Sequence, residues 1–241
     1  MTRLLIAVML SLFGAAATAA NFSTTIGEET GRKYIVISGA IDGTEAQQLS
    51  MYKLLNPDHN WVALNSPGGL ANGGYALGNT ISQLGLNTYV GYGAICLSAC
   101  YTAFLGGTEY DIDGVLGAHH AWVPEEDLGE DPNINELLSF GQSLGAYDTW
   151  YHMAHGFNFG LAYGISNYTS PNDFLIFTDV ADLMQFFSRN EGPDINNYLA
   201  TDPVTYQWIG ENIANGSELP QLALKNARRD HPEWFLDPTV H

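Results

Sequence analysis

Two rhythms alternate along the chain. Short runs rich in β-branched and aromatic residues predict strands at Lys33–Ser38 (KYIVIS), Trp61–Asn65 (WVALN), Asn87–Gly91 (NTYVG) and Val115–His119 (VLGAH). Between them, apolar residues return at helical spacing. One helix is predicted from an N-cap at Thr44 toward Leu55, and another from Leu70 to Leu84 with Leu77, Ile81 and Leu84 on one face. Ala94 to Gly107 is predicted as a loop entering a helix that closes on a glycine C-cap. Strands alternating with helices imply an α/β fold with a mainly parallel, buried sheet.

Beyond His120 the pattern loosens. Pro124 to Glu136 carries six acids and two prolines and is expected to be an acidic surface loop. Leu137 to Met153 is predicted helical, Phe174–Phe177 is a short apolar run, and Thr178 to Asp182 opens another helix. No Ser/Gly-rich linker separates two cores. The expected organisation is therefore one α/β domain over residues 21–200 and a helical C-terminal extension over 201–241.

The first twenty residues stand apart. A basic start at Arg3, an apolar stretch from Leu4 to Phe13 and the A-x-A site Ala17–Ala19 read as a secretory signal peptide over residues 1–20. The run is too short to span a bilayer. The mature chain is expected to be exported, periplasmic or secreted, without a membrane anchor and in an oxidising setting.

Charge narrows the partners. There are 26 Asp and Glu against 8 Lys and Arg, a formal net charge of −18. Nucleic acid needs a basic face and is not an expected partner. An anionic membrane surface is not an expected partner on the same ground. The 11 Phe, 13 Tyr and 5 Trp spread along the chain argue against a long disordered region.

Chemistry concentrates in two segments. Ser98, in Cys96-Leu-Ser-Ala-Cys100, stands where a loop meets a helix start, a place that favours an alkoxide or oxyanion but also suits a plain N-cap. A serine nucleophile needs a base, and His119 and His120 follow at the end of the next strand. Asn65-Ser-Pro-Gly-Gly69 follows a buried strand, where backbone N–H groups can face a ligand, although Pro-Gly is also an ordinary turn. The hydrolase elbow G-x-S-x-G is absent.

The order strand–SPGG–helix, strand–C-x-S-x-C–helix, Gly-Gly and strand–Gly-x-His resembles the Clp-peptidase/crotonase-like superfamily, and within it exported relatives of the Clp protease proteolytic subunit. The resemblance runs from about Ile35 to about Ala181. It implies a spiral of ββα units with a mainly parallel sheet. It implies Ser98 as nucleophile, His119 as general base by the Gly-x-His pattern, and an oxyanion hole from Gly68, with Gly69 beside it, and Ala99. By the same resemblance Asp173, before Phe174-Leu175, orients the imidazole; as a residue following Pro171 it also fits a turn. The implied activity is that of a serine hydrolase, a peptidase acting on a peptide or other acyl substrate, with no cofactor. The other reading is a catalytically inactive binding or assembly module on the same fold. Assembly with further copies of the chain is left open. The axial segments that dock an ATPase are not recognisable, and export removes both ATP and coenzyme A, which disfavours acyl-thioester chemistry.

Cys96 and Cys100 admit three readings: a disulfide, since an i to i+4 separation lies within bridging range, two buried thiols, or a nucleophilic thiol. Asp148, His152 and His155 share a helical face and, with His120, raise a zinc reading against that of ordinary surface residues; no metal is expected. The acidic loop lacks the calcium-loop spacing and reads as a solvated face.

Overall fold

The computed structural model describes residues 20–121, 133–168, 174–185 and 199–200. The signal peptide, most of the acidic loop, Asp173 and the extension over 201–241 lie outside the described residues. The chain runs β1 (Asn21–Ile26), β2 (Lys33–Ser38), α1 (Glu45–Leu55), β3 (Trp61–Asn65), α2 (Ala71–Gln83), β4 (Asn87–Val90), β5 (Ile95–Leu97) and α3 (Ala99–Phe104). It continues with β6 (Tyr110–Ile112), β7 (Val115–Ala118), α4 (Ile134–Ala154), α5 (Phe159–Tyr168), β8 (Phe174–Phe177), α6 (Val180–Met184) and β9 (Leu199–Ala200).

The strands form two sheets. The first has the order β1-β2-β3-β4-β6. Its four strands from β2 to β6 are parallel, with Tyr34 beside Trp61 and Trp61 beside Asn87, and only β1 joins antiparallel. The second has the order β5-β7-β8-β9, with β5 and β7 parallel and the remaining pairs antiparallel. The expected α/β class therefore holds with a mixed second sheet rather than parallel pairing throughout. Trp61, Val62 and Leu64 are all buried, as befits a strand in the middle of a parallel sheet.

The two sheets meet at one bridge. Ser66, just past β3, donates its N–H to Ile95 O (2.7 Å) and accepts from Leu97 N (3.0 Å). The segment expected as a loop before Ser98 is thus a buried strand, β5. Three residues are too few for periodicity to separate strand from loop.

Local chemistry corrects two expected caps. Thr44 occupies the N-cap position of α1, but its side chain makes no capping bond. Glu45 instead turns back and accepts from Asp42 N (3.0 Å) and Gly43 N (2.9 Å), fully buried while doing so. α3 ends at Phe104, ahead of the Gly106-Gly107 pair expected to cap it. Gly106 has a packing reason: an added Cβ would stand 2.1 Å from Gly78 O on α2. Gly74 and Gly78, one turn apart on α2, likewise let α3 approach backbone to backbone; a Cβ on Gly74 would lie 2.4 Å from Ala99 O. α4 starts at Ile134, inside the stretch expected as acidic loop, with Asn133 accepting from Asn135 N (3.0 Å) as its N-cap. Among the described residues no helix is long and apolar enough to cross a membrane.

Because the atoms facing Gly106 are backbone, they cannot move aside cheaply. Gly106→Ala is expected to lower the unfolding free energy by about 1–3 kcal/mol, read from a denaturant midpoint. Unchanged stability would contradict this contact between α2 and the turn after α3.

Candidate active site

Parallel β5 and β7 place Leu97 beside Gly117. Each strand then delivers one candidate residue at its C-terminal end: Ser98 directly after β5, and His119 directly after β7. Ser98 N donates to Gly117 O (2.9 Å), which ties the two strand ends together. The His119 Nε2 to Ser98 Oγ distance is 2.7 Å, a hydrogen bond in the range a serine–imidazole pair requires. The His119 ring stacks on Phe174 at the start of β8, with centroids 4.4 Å apart and planes 19° apart. His120 lies on a neighbouring cavity with Asp148 and Tyr75.

Ser98 is the only non-glycine residue with positive φ among the described residues (φ 56°, ψ −123°). Such a conformation costs about 1–3 kcal/mol and persists where its surroundings hold it. Three restraints do so here: the Gly117 bond, the start of α3, and the disulfide Cys96–Cys100 (S–S 2.06 Å), which closes across Ser98. Of the three readings for the cysteines, the structure has the bridge.

The Ser66-Pro67-Gly68-Gly69 loop lies against this turn. Gly68 has φ 102°, and a Cβ there would come within 2.6 Å of Ser98 Cβ and 2.7 Å of Leu97 O. Only glycine fits on both counts. Its N–H, expected to face an oxyanion, instead donates to the buried hydroxyl of Ser66 (3.1 Å). Gly69 differs. Ile41 N bonds to Gly68 O and Leu70 N to Ile41 O, both 2.8 Å, so the N–H of Gly69 between them points away from Ile41. It donates no hydrogen bond to a described residue, and neither does Ala99 N in the first turn of α3. The open backbone donors flanking Ser98 are therefore Gly69 and Ala99, while Gly68 supplies the clearance.

Asp148, His152 and His155 do not assemble as metal ligands. His152 is buried; its Nε2 meets Tyr101 Oη (3.1 Å) and its Nδ1 meets Asp148 O (2.8 Å). His155 packs at a tilt against the Tyr151 ring, and burial, aided by the nearby His152, holds its imidazole below the ordinary range. Among the described residues no group of three or more His, Cys, Asp or Glu is placed to hold a metal ion. The Tyr101–His152 link, which joins α3 to α4, was not foreseen; the i, i+4 spacing of Asp148 and His152 was its only trace in the sequence. Asp179 is the N-cap of α6 and accepts from Ala181 N (2.6 Å).

No protein-family model and no curated protein matches the chain. Among solved structures it is similar to a mutant of 1510-N, a membrane-bound stomatin-specific protease, with a TM-score of 0.45 and 16% identity over 64% of this chain and 75% of that one. The reading of the site accordingly rests on its own geometry.

Replacing the bridge by Cys96→Ala with Cys100→Ala is expected to cost about 2 kcal/mol of stability on chain-entropy grounds. The loss is read from denaturant midpoints of oxidised wild type and variant. Equal midpoints would show that the bridge adds nothing to the fold.

Proposed function

We propose that the protein is an exported serine hydrolase acting on peptide acyl groups. The observation that carries this reading is the 2.7 Å contact between His119 Nε2 and Ser98 Oγ, made by a serine held at positive φ. A serine hydroxyl is a weak nucleophile until a base takes its proton. His119 would accept that proton as Ser98 Oγ attacks the acyl carbon. The N–H groups of Gly69 and Ala99 would hold the oxyanion of the tetrahedral intermediate. His119 then returns the proton to the leaving amine, and water, deprotonated by the same imidazole, releases the acyl group from Ser98. We assign the orienting role to Asp173, which immediately precedes Phe174, the residue stacked on His119.

The finer family assignment, a Clp-like spiral of ββα units, belongs to the same proposal. It is supported by the SPGG loop, the serine after β5 and the histidine after β7, all at parallel strand ends. Export is supported by the signal-like first twenty residues, and the Cys96–Cys100 bridge fits an oxidising compartment.

Turnover of peptide or ester substrates is the direct test. Ser98→Ala and His119→Ala are each expected to lower kcat by about 10⁴-fold or more, with thermal melting showing both variants folded. Retained turnover in folded Ser98→Ala protein would remove the assignment. A wild-type chain inert to every acyl substrate would favour a binding module.

A further inference from the structure

Two adjoining cavities are bordered by residues that follow the glycine loop and His119 in the chain. The larger, about 470 Å³, is bordered by Leu70, Phe140, Leu144 and Tyr147 and is mainly apolar. The smaller, about 250 Å³, is bordered by Tyr75, His120, Gly141, Leu144, Gly145 and Asp148. Ala121 and Leu144 belong to both. Chain connectivity keeps one wall residue of each close to the site. Leu70 follows Gly69, and Ala121 stands two residues after His119, within about 7 Å of it along the backbone.

The smaller cavity has one carboxylate on its wall, Asp148. Its Oδ1 accepts from Tyr75 Oη (2.8 Å) and lies 3.6 Å from His152 Nδ1. Its Oδ2 takes no hydrogen bond from a described residue, and the side chain is only 19% exposed. A carboxylate so far withdrawn from water gains from a cationic partner. The volume exceeds the ~30 Å³ share of one water and falls below the ~300 Å³ at which whole small-molecule pockets begin, so it suits a single long side chain.

Two positions on the wall of the smaller cavity carry a conformational cost. Gly141 and Gly145 sit within α4, where glycine is less favourable than alanine by about 1 kcal/mol each. Neither has a packing reason, because an added Cβ would meet nothing within 4 Å. Side chains at these two positions would extend into open space at the wall of the cavity that Asp148 shares.

We propose that this cavity receives a cationic side chain, lysine or arginine, of the peptide whose acyl group reaches Ser98; the substrate role rests on the hydrolase reading above. The alkyl stem lies along Leu144 and the Tyr75 ring, and the charged end donates to Asp148 Oδ2. The formal charge of −18 draws such peptides toward the protein and repels acidic ones.

The test uses acetylated hexapeptide amides with one lysine moved through every position of an alanine-leucine background, each paired with its norleucine counterpart. Hydrolysis is measured with the wild-type chain, and equilibrium binding with Ser98→Ala. For at least one position, lysine is expected to exceed norleucine by about tenfold in kcat/KM and in affinity. Asp148→Asn, which keeps an acceptor for Tyr75 Oη, brings that ratio to about one. Gly145→Leu adds a side chain at this wall and lowers lysyl-peptide affinity by about tenfold or more while preserving the melting temperature. Equal lysine and norleucine values in the wild type, or a ratio that survives Asp148→Asn, would overturn the pocket. Hydrolysis without a lysine preference removes the pocket and leaves the hydrolase. Asp148-dependent lysine binding without hydrolysis keeps the pocket and removes the hydrolase.

Discussion

The geometry of the site depends on the seam where Ser66 pairs with β5. That bridge joins two sheets that otherwise run separately, and it fixes where the glycine loop after β3 meets the turn after β5. Once Ser66 is locked to Ile95 and Leu97, Gly68 has nowhere to lie except against Ser98, and there is no room for a side chain. The same hydroxyl that is buried at the seam engages the Gly68 N–H, which leaves Gly69 and Ala99 as the open donors. Placement of Ser98, His119 and the open backbone N–H groups thus follows from strand pairing rather than from flexible loops, the arrangement that holds groups to small tolerances.

Behind the seam, small residues set the distances. Gly74 and Gly78 bring α2 onto α3, and Gly74 meets Ala99, so the helix behind the glycine loop also buttresses the helix that follows Ser98. Strain at Ser98 is then sustained from several sides: the Gly117 bond, the disulfide and the α2 contact. On the outer side, the Tyr101–His152 hydrogen bond and the Tyr151 bond to Thr102 O (3.0 Å) fasten α4 to α3. α4 is thereby positioned to wall both cavities.

Much of this was legible in the chain before any coordinates. Strands β2, β3, β4 and β7 announce themselves as β-branched or apolar runs, and Leu77 and Ile81 mark the buried face of α2. Ser98 and the two histidines stood out through the order of motifs, and spacing alone put Cys96 and Cys100 within bridging range. What sequence reasoning could not reach was set by tertiary contact. β5 is three residues long, and β1 adds antiparallel with mostly exposed residues, so neither carries a periodic signal. The engagement of the Gly68 N–H by Ser66, the failure of Thr44 to cap α1, and the packing role of Gly106 each depend on which backbone group lies opposite. Asp148 read as one member of a ligand trio, because helical spacing brings it near His152 but does not reveal that both ring nitrogens of His152 are already engaged.

The central claim is that Ser98 is activated by His119. It is tested most directly by reacting the full chain, disulfide intact, with a fluorophosphonate and mapping the adduct by mass spectrometry. The account predicts one adduct per chain, on Ser98, formed at a rate that collapses in folded His119→Ala protein. A folded, oxidised chain that takes up no reagent at Ser98, or takes it up equally fast without His119, would contradict it.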